Sequence, residues 1–370
     1  MDLALPHGSL SGTTLRYGGM ALLCAALLAA VYYPVKSASF VYEDWNGAGI
    51  ESDAPMAIQP LRTRALTRLS YRIDRWFGPN ATSYHVHNVV LHGINGGLVA
   101  AVAVPLVGGV GAVIAASVFL GLTLNVEAVA YIASRTELLS LTFLLLACLW
   151  TLRVPTTGWR TWRVVSVVLA LTAAMWTKES AICGLGLVWL CGEHTGRGPC
   201  FSWPVWQRHW RLILGTGVVL GVVAGLLVRT VLQQEYWAIV HSMYSPWRYA
   251  AVQATAFWAY LGMVVYPHGF SIDHDYEIVP FALQAVALGG FIWLWMLTAL
   301  LWLGRDDLFV PRTVVVGLFG ILWVLITVSL RFMMRIPEML NEHQFYGATV
   351  GVALIISAGV SPLFTKRELA

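Results

Sequence analysis

Several short stretches of this chain carry side chains suited to proton transfer and phosphate binding. In FVYEDW, Glu43 and Asp44 follow one another. A carboxylate held at a surface can act as general base toward a hydroxyl, whereas a solvated loop pair is the plain alternative. In NVEAVAYIASRTELL, Arg135 and Glu137 stand two apart, and WTKES brings Lys178 and Glu179 together. Arginine offers a planar fork and lysine a compact charge to an anionic phosphate. Mutual ion pairing among these four is the alternative. Glu127, the third acid of this group beside Glu137 and Glu179, is expected to cap a turn. In NEHQFYG, Glu342 and His343 precede Tyr346 and follow Arg331 and Arg335. A Glu–His step there suits a phosphate, a sugar or both, with interface anchoring as the other reading. Asp273 and Glu277 form one further polar group.

In SYHVHNVVLH, His85, Asn88 and His92 recur at i, i+3 and i+7 and share one helical face. Zinc would need a carboxylate or cysteine close by in sequence, and none stands there. Hydrogen bonding between helices is the expected role. The five cysteines show no metal or redox spacing.

The elements that must position these groups are apolar. Of 370 residues, 58% are hydrophobic and 11% charged, against about 25% charged in a soluble domain. Apolar stretches recur at 17–33, 86–107, 110–124, 138–152, 164–176, 181–190, 212–228, 249–266, 281–303, 314–330 and 345–360. The chain is therefore expected to be an all-α polytopic membrane protein with ten or eleven crossings, and one transmembrane domain over 1–370 without a soluble C-terminal domain. The shorter stretches must tilt, extend into polar flanks or fail to span. The first is read as a retained transmembrane helix rather than a cleaved signal. Seventeen Trp and fourteen Tyr fit aromatic belts at two interfaces. The net charge of +4 includes no basic run, so nucleic acid is not an expected partner.

The longest polar segment, 36–84, follows the first apolar stretch. There Arg64, Arg68, Arg72 and Arg75 recur on one face and Leu61, Ala65 and Leu69 on another, the pattern of an amphipathic helix lying in the membrane interface. Arg153, Arg160 and Arg163, then Arg197, Arg208 and Arg211, then Lys366 and Arg367 mark cytoplasmic turns. That orientation puts 36–84 outside with the polar groups Glu43–Asp44, Asn125–Glu137, Lys178–Glu179, Asp273–Glu277 and Asn341–Tyr346. If every stretch crosses, the basic C-terminus falls outside, so one must not cross; 249–266, flanked by polar segments, is expected to return to the outer face.

These blocks, in this order, resemble the GT-C superfamily of membrane glycosyltransferases, in particular the transmembrane and tetratricopeptide-repeat O-mannosyltransferases and their bacterial relatives. FVYEDW is similar to that family's aromatic residue and acidic pair, QPLRTRALTRLSYRID to its R-P-L-R-T stretch, and SYHVHNVVLH to Y-H-x-x-N-x-x-x-H. LNVEAVAYIASRTELL, WTKES, YPHGFSIDHDY after Arg248, and NEHQFYGATVG are similar to its later blocks. The resemblance covers about residues 17–360. It implies a helical bundle with in-plane helices in the first outer loop. The reaction implied is direct transfer, with inversion, of a sugar from an undecaprenyl- or dolichyl-phosphate carrier to an acceptor protein or glycan outside the cytoplasm.

By position, Asp44 with Glu43 would be the acid/base, and Arg135, Lys178 and His343 would hold the carrier phosphate. Glu137, Glu179 and Glu342 would orient those cations, with Arg62, His85, Asn88, Asp273 and Tyr346 in support. No cofactor beyond the lipid-linked donor is implied, and a divalent metal is left open. A GC-rich composition suggests a bacterial inner membrane with the site facing the periplasm. Departures exist: Glu43 stands where Asp is commoner, Gln59 replaces an Arg, Asn125 replaces His-Pro, and no tetratricopeptide repeats follow. They motivate the alternative of a non-catalytic membrane subunit with the same fold.

Overall fold

The computed structural model describes residues 28, 31–41, 64–78, 80–205, 207–208, 245–271, 274, 279–308, 310–332 and 339–365. Within them every regular element is helical. The α-helices are α1 (Ala65–Trp76), α2 (Ala81–Gly121), α3 (Val126–Ala130), α4 (Arg135–Leu152), α5 (Thr161–Thr177), α6 (Gly184–His194), α7 (Pro246–Val265), α8 (Phe281–Leu303), α9 (Arg312–Ser329) and α10 (Thr349–Thr365). Among the described residues, four stretches are long and apolar enough to cross a membrane: Ala81–Gly121, Ile132–Leu152, Phe281–Leu303 and Arg312–Phe332. The expected stretch 212–228 and nearly all of 17–33 lie outside the described residues. The stretch expected at 181–190 is α6, an 11-residue helix spanning roughly 16 Å, which is short of a bilayer core of about 30 Å.

α2 runs over 41 residues but is two antiparallel arms. Gly108 adopts φ 75° and ψ −177°, outside helical geometry, three residues after Pro105. A Cβ built on Gly96 would lie 2.6 Å from the Leu120 side chain, whereas a straight helix would separate these residues by roughly 36 Å. The reversal falls between the apolar stretches at 86–107 and 110–124. Glycine supplies the positive φ without a Cβ clash, and proline ahead of it cannot continue the hydrogen-bond ladder.

Helix α4 packs on α2, α5 and α6 pack in turn on α4, and α10 lies against α2 and α9. Leu141, Leu145, Val167, Leu171, Leu187 and Phe319 share that core. α9 and α10 approach closely where Gly320 faces Gly351, a Cβ on Gly320 lying 2.7 Å from the Gly351 carbonyl. Small residues at such a crossing let two helix backbones come into close van der Waals contact. α7 is one continuous helix that meets α8: Trp258 donates to the Ala287 carbonyl at 3.0 Å, and Phe257 packs on Phe291. On α8 only Gln284, Phe291, Thr298 and Trp302 are buried. Leu283, Val286, Ile292, Trp293, Met296 and Leu300 of that helix are exposed.

The two ends of the bundle differ. One holds the turn after α4, where Arg163 donates to the Arg153 carbonyl at 2.5 Å and Arg197 to that of Val154 at 2.6 Å. Arg305 and Arg312 bond the carbonyls of Glu193 and Pro105 at the same end. The other end collects α1, α3 and the 3-10 turns Ile132–Ser134, Glu179–Cys183 and Glu342–Phe345.

Candidate functional site

α1 is amphipathic in an unexpected sense. Thr67, Ser70, Tyr71 and Asp74 form its buried face, while Leu69, Ile73 and Trp76 are exposed. Tyr71 donates to the Ile132 carbonyl at 2.9 Å, and Thr67 to that of Thr177 at 3.4 Å. The helix is thus tied by hydroxyls to the N-terminus of α4 and the C-terminus of α5.

Asp74 meets Arg135 beneath it. The two form an ion pair, and Arg135 also bonds Asn88 Oδ1 from Nε at 2.7 Å and the Tyr84 carbonyl from Nη2 at 2.9 Å. Ser70 Oγ accepts a longer bond of 3.4 Å from Nη1. The guanidinium lies 4.6 Å from the Tyr71 ring centroid, within cation–π range. Arg135 is 0% exposed. This geometry suits a residue that joins α1, α2 and α4, not one offering its fork to a phosphate outside. Asn88 completes the junction by donating to the Val129 carbonyl at 3.2 Å. His87 sits on the far side of Asp74, its Nδ1 2.7 Å from Oδ1. A carboxylate only accepts, so Nδ1 carries a proton.

Lys178 Nζ pairs with Glu137, and Arg64 Nε lies 3.6 Å from Glu179. Both pairs join the C-terminal end of α5 to neighbouring elements, and both are partly exposed. The expected alternative of ion pairing among Arg135, Glu137, Lys178 and Glu179 is half right: Lys178 takes Glu137, but Arg135 takes Asp74.

The third group lies on the Glu342–Phe345 turn. His343 Nδ1–H and backbone N–H both reach Glu127, each at 2.7 Å. Glu127 therefore clamps a turn from the far end of the chain, more than the local cap expected of it. Glu342 Oε1 accepts from His274 Nε2 at 2.8 Å and from the Ser271 N–H at 3.2 Å.

Deeper in the bundle, His92 Nε2 donates to the Leu120 carbonyl at 3.3 Å, so Nδ1 accepts from the Tyr346 hydroxyl at 2.8 Å. Asn95 donates to Tyr346 Oη at 3.2 Å and accepts from Thr142 at 2.7 Å. His85, Asn88 and His92 share a buried face. Among the described residues no group of three His, Cys, Asp or Glu side chains is placed to hold a metal ion. Glu43, Asp44, Arg62 and Asp273 lie outside the described residues. Sequence reading passed over Asp74, His87 and His274 as partners. Asp74 did carry a signal, as an acid set among the arginines of α1.

No family model, no curated protein and no solved structure matches the chain.

Proposed function

We propose that this chain is a polytopic integral membrane glycosyltransferase that moves a sugar from a polyprenyl-phosphate carrier to an acceptor hydroxyl on the extracytoplasmic face. One observation carries the reading: acids and cations from five separated stretches meet at one end of an apolar bundle, and the arginine-rich turns lie at the other. Under the positive-inside rule the second end is cytoplasmic, which turns the first outward. α1 then lies in the interface plane, with Leu69, Ile73 and Trp76 toward the acyl chains.

Asp44 stands three residues after Val41, and Phe40 packs on Tyr84 beside Arg135. In this reading Asp44, with Glu43, takes the acceptor proton as its oxygen attacks the anomeric carbon with inversion. The carrier phosphate leaves with the bonding electrons, its charge met by Lys178 and His343. Arg135 positions α1 over that surface. Glu137 holds Lys178 in place and Glu127 holds His343. The carrier is undecaprenyl or dolichyl phosphate, the acceptor a protein or glycan, and the location a bacterial inner membrane with the site facing the periplasm. The test is transfer of labelled sugar from polyprenyl phosphate by purified protein in nanodiscs. Asp44→Asn should lower turnover by about 100-fold or more with an unchanged melting temperature, and unchanged turnover rejects the assigned base.

A second reading has a specific observation behind it. Arg64, Arg135, Lys178 and His343 each already hold a carboxylate partner, as a non-catalytic subunit of a membrane complex would arrange them. Saturable binding of a polyprenyl-phosphate sugar by the purified protein counts against that reading.

A further inference from the structure

Glu127 and Glu342 come from α3 and the Glu342–Phe345 turn, and their carboxyl groups are within hydrogen-bonding reach of each other. Three of the four oxygens have N–H donors. His343 supplies both oxygens of Glu127, and His274 with Ser271 supplies Oε1 of Glu342. Glu342 Oε2 is buried and has no donor among the described residues, and the residue is 1% exposed.

Two adjacent buried carboxylates repel strongly if both are ionised, and a buried acceptor without a donor is costly in its own right. A single proton on Glu342 Oε2, donated to Glu127, removes both difficulties. We propose that Glu127 and Glu342 form a carboxyl pair holding one proton, an acid–base site able to give that proton to a hydroxyl or phosphate oxygen and take it back. Glu127 is the ionised member, because N–H groups of His343 reach both of its oxygens whereas those around Glu342 reach only Oε1. Glu342 is the protonated one. The inference does not depend on the glycosyltransferase reading.

Burial pushes the carboxyl groups of both residues above the ordinary carboxylate range, and at Glu342 the neighbouring Glu127 adds to the rise. The other titratable groups around the pair are His343 on the same turn, His274 across from it, and Arg331 with Tyr260. Tyr131 packs its ring against His343 at 6.1 Å. A raised carboxyl pKa means that the folded state binds the proton more tightly than the unfolded chain. Its contribution to stability is complete below the unfolded value and is lost as pH rises through the folded value. Loss of the proton sets two anions side by side and loosens the contact of Ser271 and His274 with the turn.

Infrared spectroscopy of the full chain in lipid nanodiscs tests this. A protonated carboxylic acid has a carbonyl stretch separate from the carboxylate bands. At neutral pH the wild type should show one such band, and it should titrate away at alkaline pH. Glu342→Gln, an isostere of the protonated acid, and Glu127→Gln should each abolish it. Absence of the band from the wild type, as a cation bridging the two carboxylates would produce, or its survival in either variant overturns the proposal. The wild-type titration alone decides the matter if a variant does not fold.

Discussion

Removing one member of the Arg135–Asp74 pair strands a charge in a closed environment, whereas removing both does not. Truncating one partner of a buried pair typically costs about 3–5 kcal/mol, while a well-packed apolar replacement of both is often neutral. Arg135→Met and Asp74→Leu should therefore each lower the melting temperature markedly, and the double variant should recover much of the loss. Thermal unfolding of the four proteins in one detergent measures that coupling. Arg135→Lys should also destabilise the chain, because an ammonium cannot reach Asn88, Asp74 and the Tyr84 carbonyl with one planar fork. That Arg135 mattered was legible from an ionisable side chain opening an apolar helix. Its partner was not legible, because Asp74 is 61 residues away in sequence and only the docking of α1 brings them together.

At the scale of elements, apolar length carried most of the information. The separate apolar stretches at 86–107 and 110–124 imply a break between them, and the chain reverses there at Gly108. The close crossing of α9 and α10 left no such mark, since Gly320 and Gly351 are two glycines among 34. Gly320→Val should force those helices apart and cost about 1–3 kcal/mol as overpacking, read as a lower melting temperature. The equivalent change at Gly317, where a Cβ meets nothing within 4 Å, should cost far less. α1 makes a separate prediction. Trp76 is 83% exposed at the end of the Leu69–Ile73 line, so in the proposed in-plane position it sits at the acyl boundary. Brominated lipids should quench wild-type tryptophan fluorescence more than that of Trp76→Phe, and equal quenching would put α1 away from the bilayer.

For the whole molecule the decisive matter is which end faces which compartment. Gly158 lies at the arginine-rich end and Asn80 at the end holding Asp74 and Arg135. Single cysteines introduced there, in a background lacking the native five, should differ in labelling by a membrane-impermeant maleimide on intact cells. Asn80→Cys should react and Gly158→Cys should not until the membrane is opened. Labelling of both from one side would end the polytopic reading. The expectation that 249–266 turns back is not visible in α7 as a break, since the helix is continuous over Pro246–Val265.

Composition and the spacing of apolar stretches determined on their own that this chain is helical and where most helices fall, because backbone satisfaction and hydrophobic length are local properties. They also marked Arg135, Glu137, Lys178, Glu179, Glu342 and His343 as groups out of place in an apolar chain. Which carboxylate faces which cation was decided only by tertiary packing. Asp74 with Arg135, Glu137 with Lys178 and Glu127 with His343 are contacts between distant segments, and no local rule couples their side chains before the helices meet.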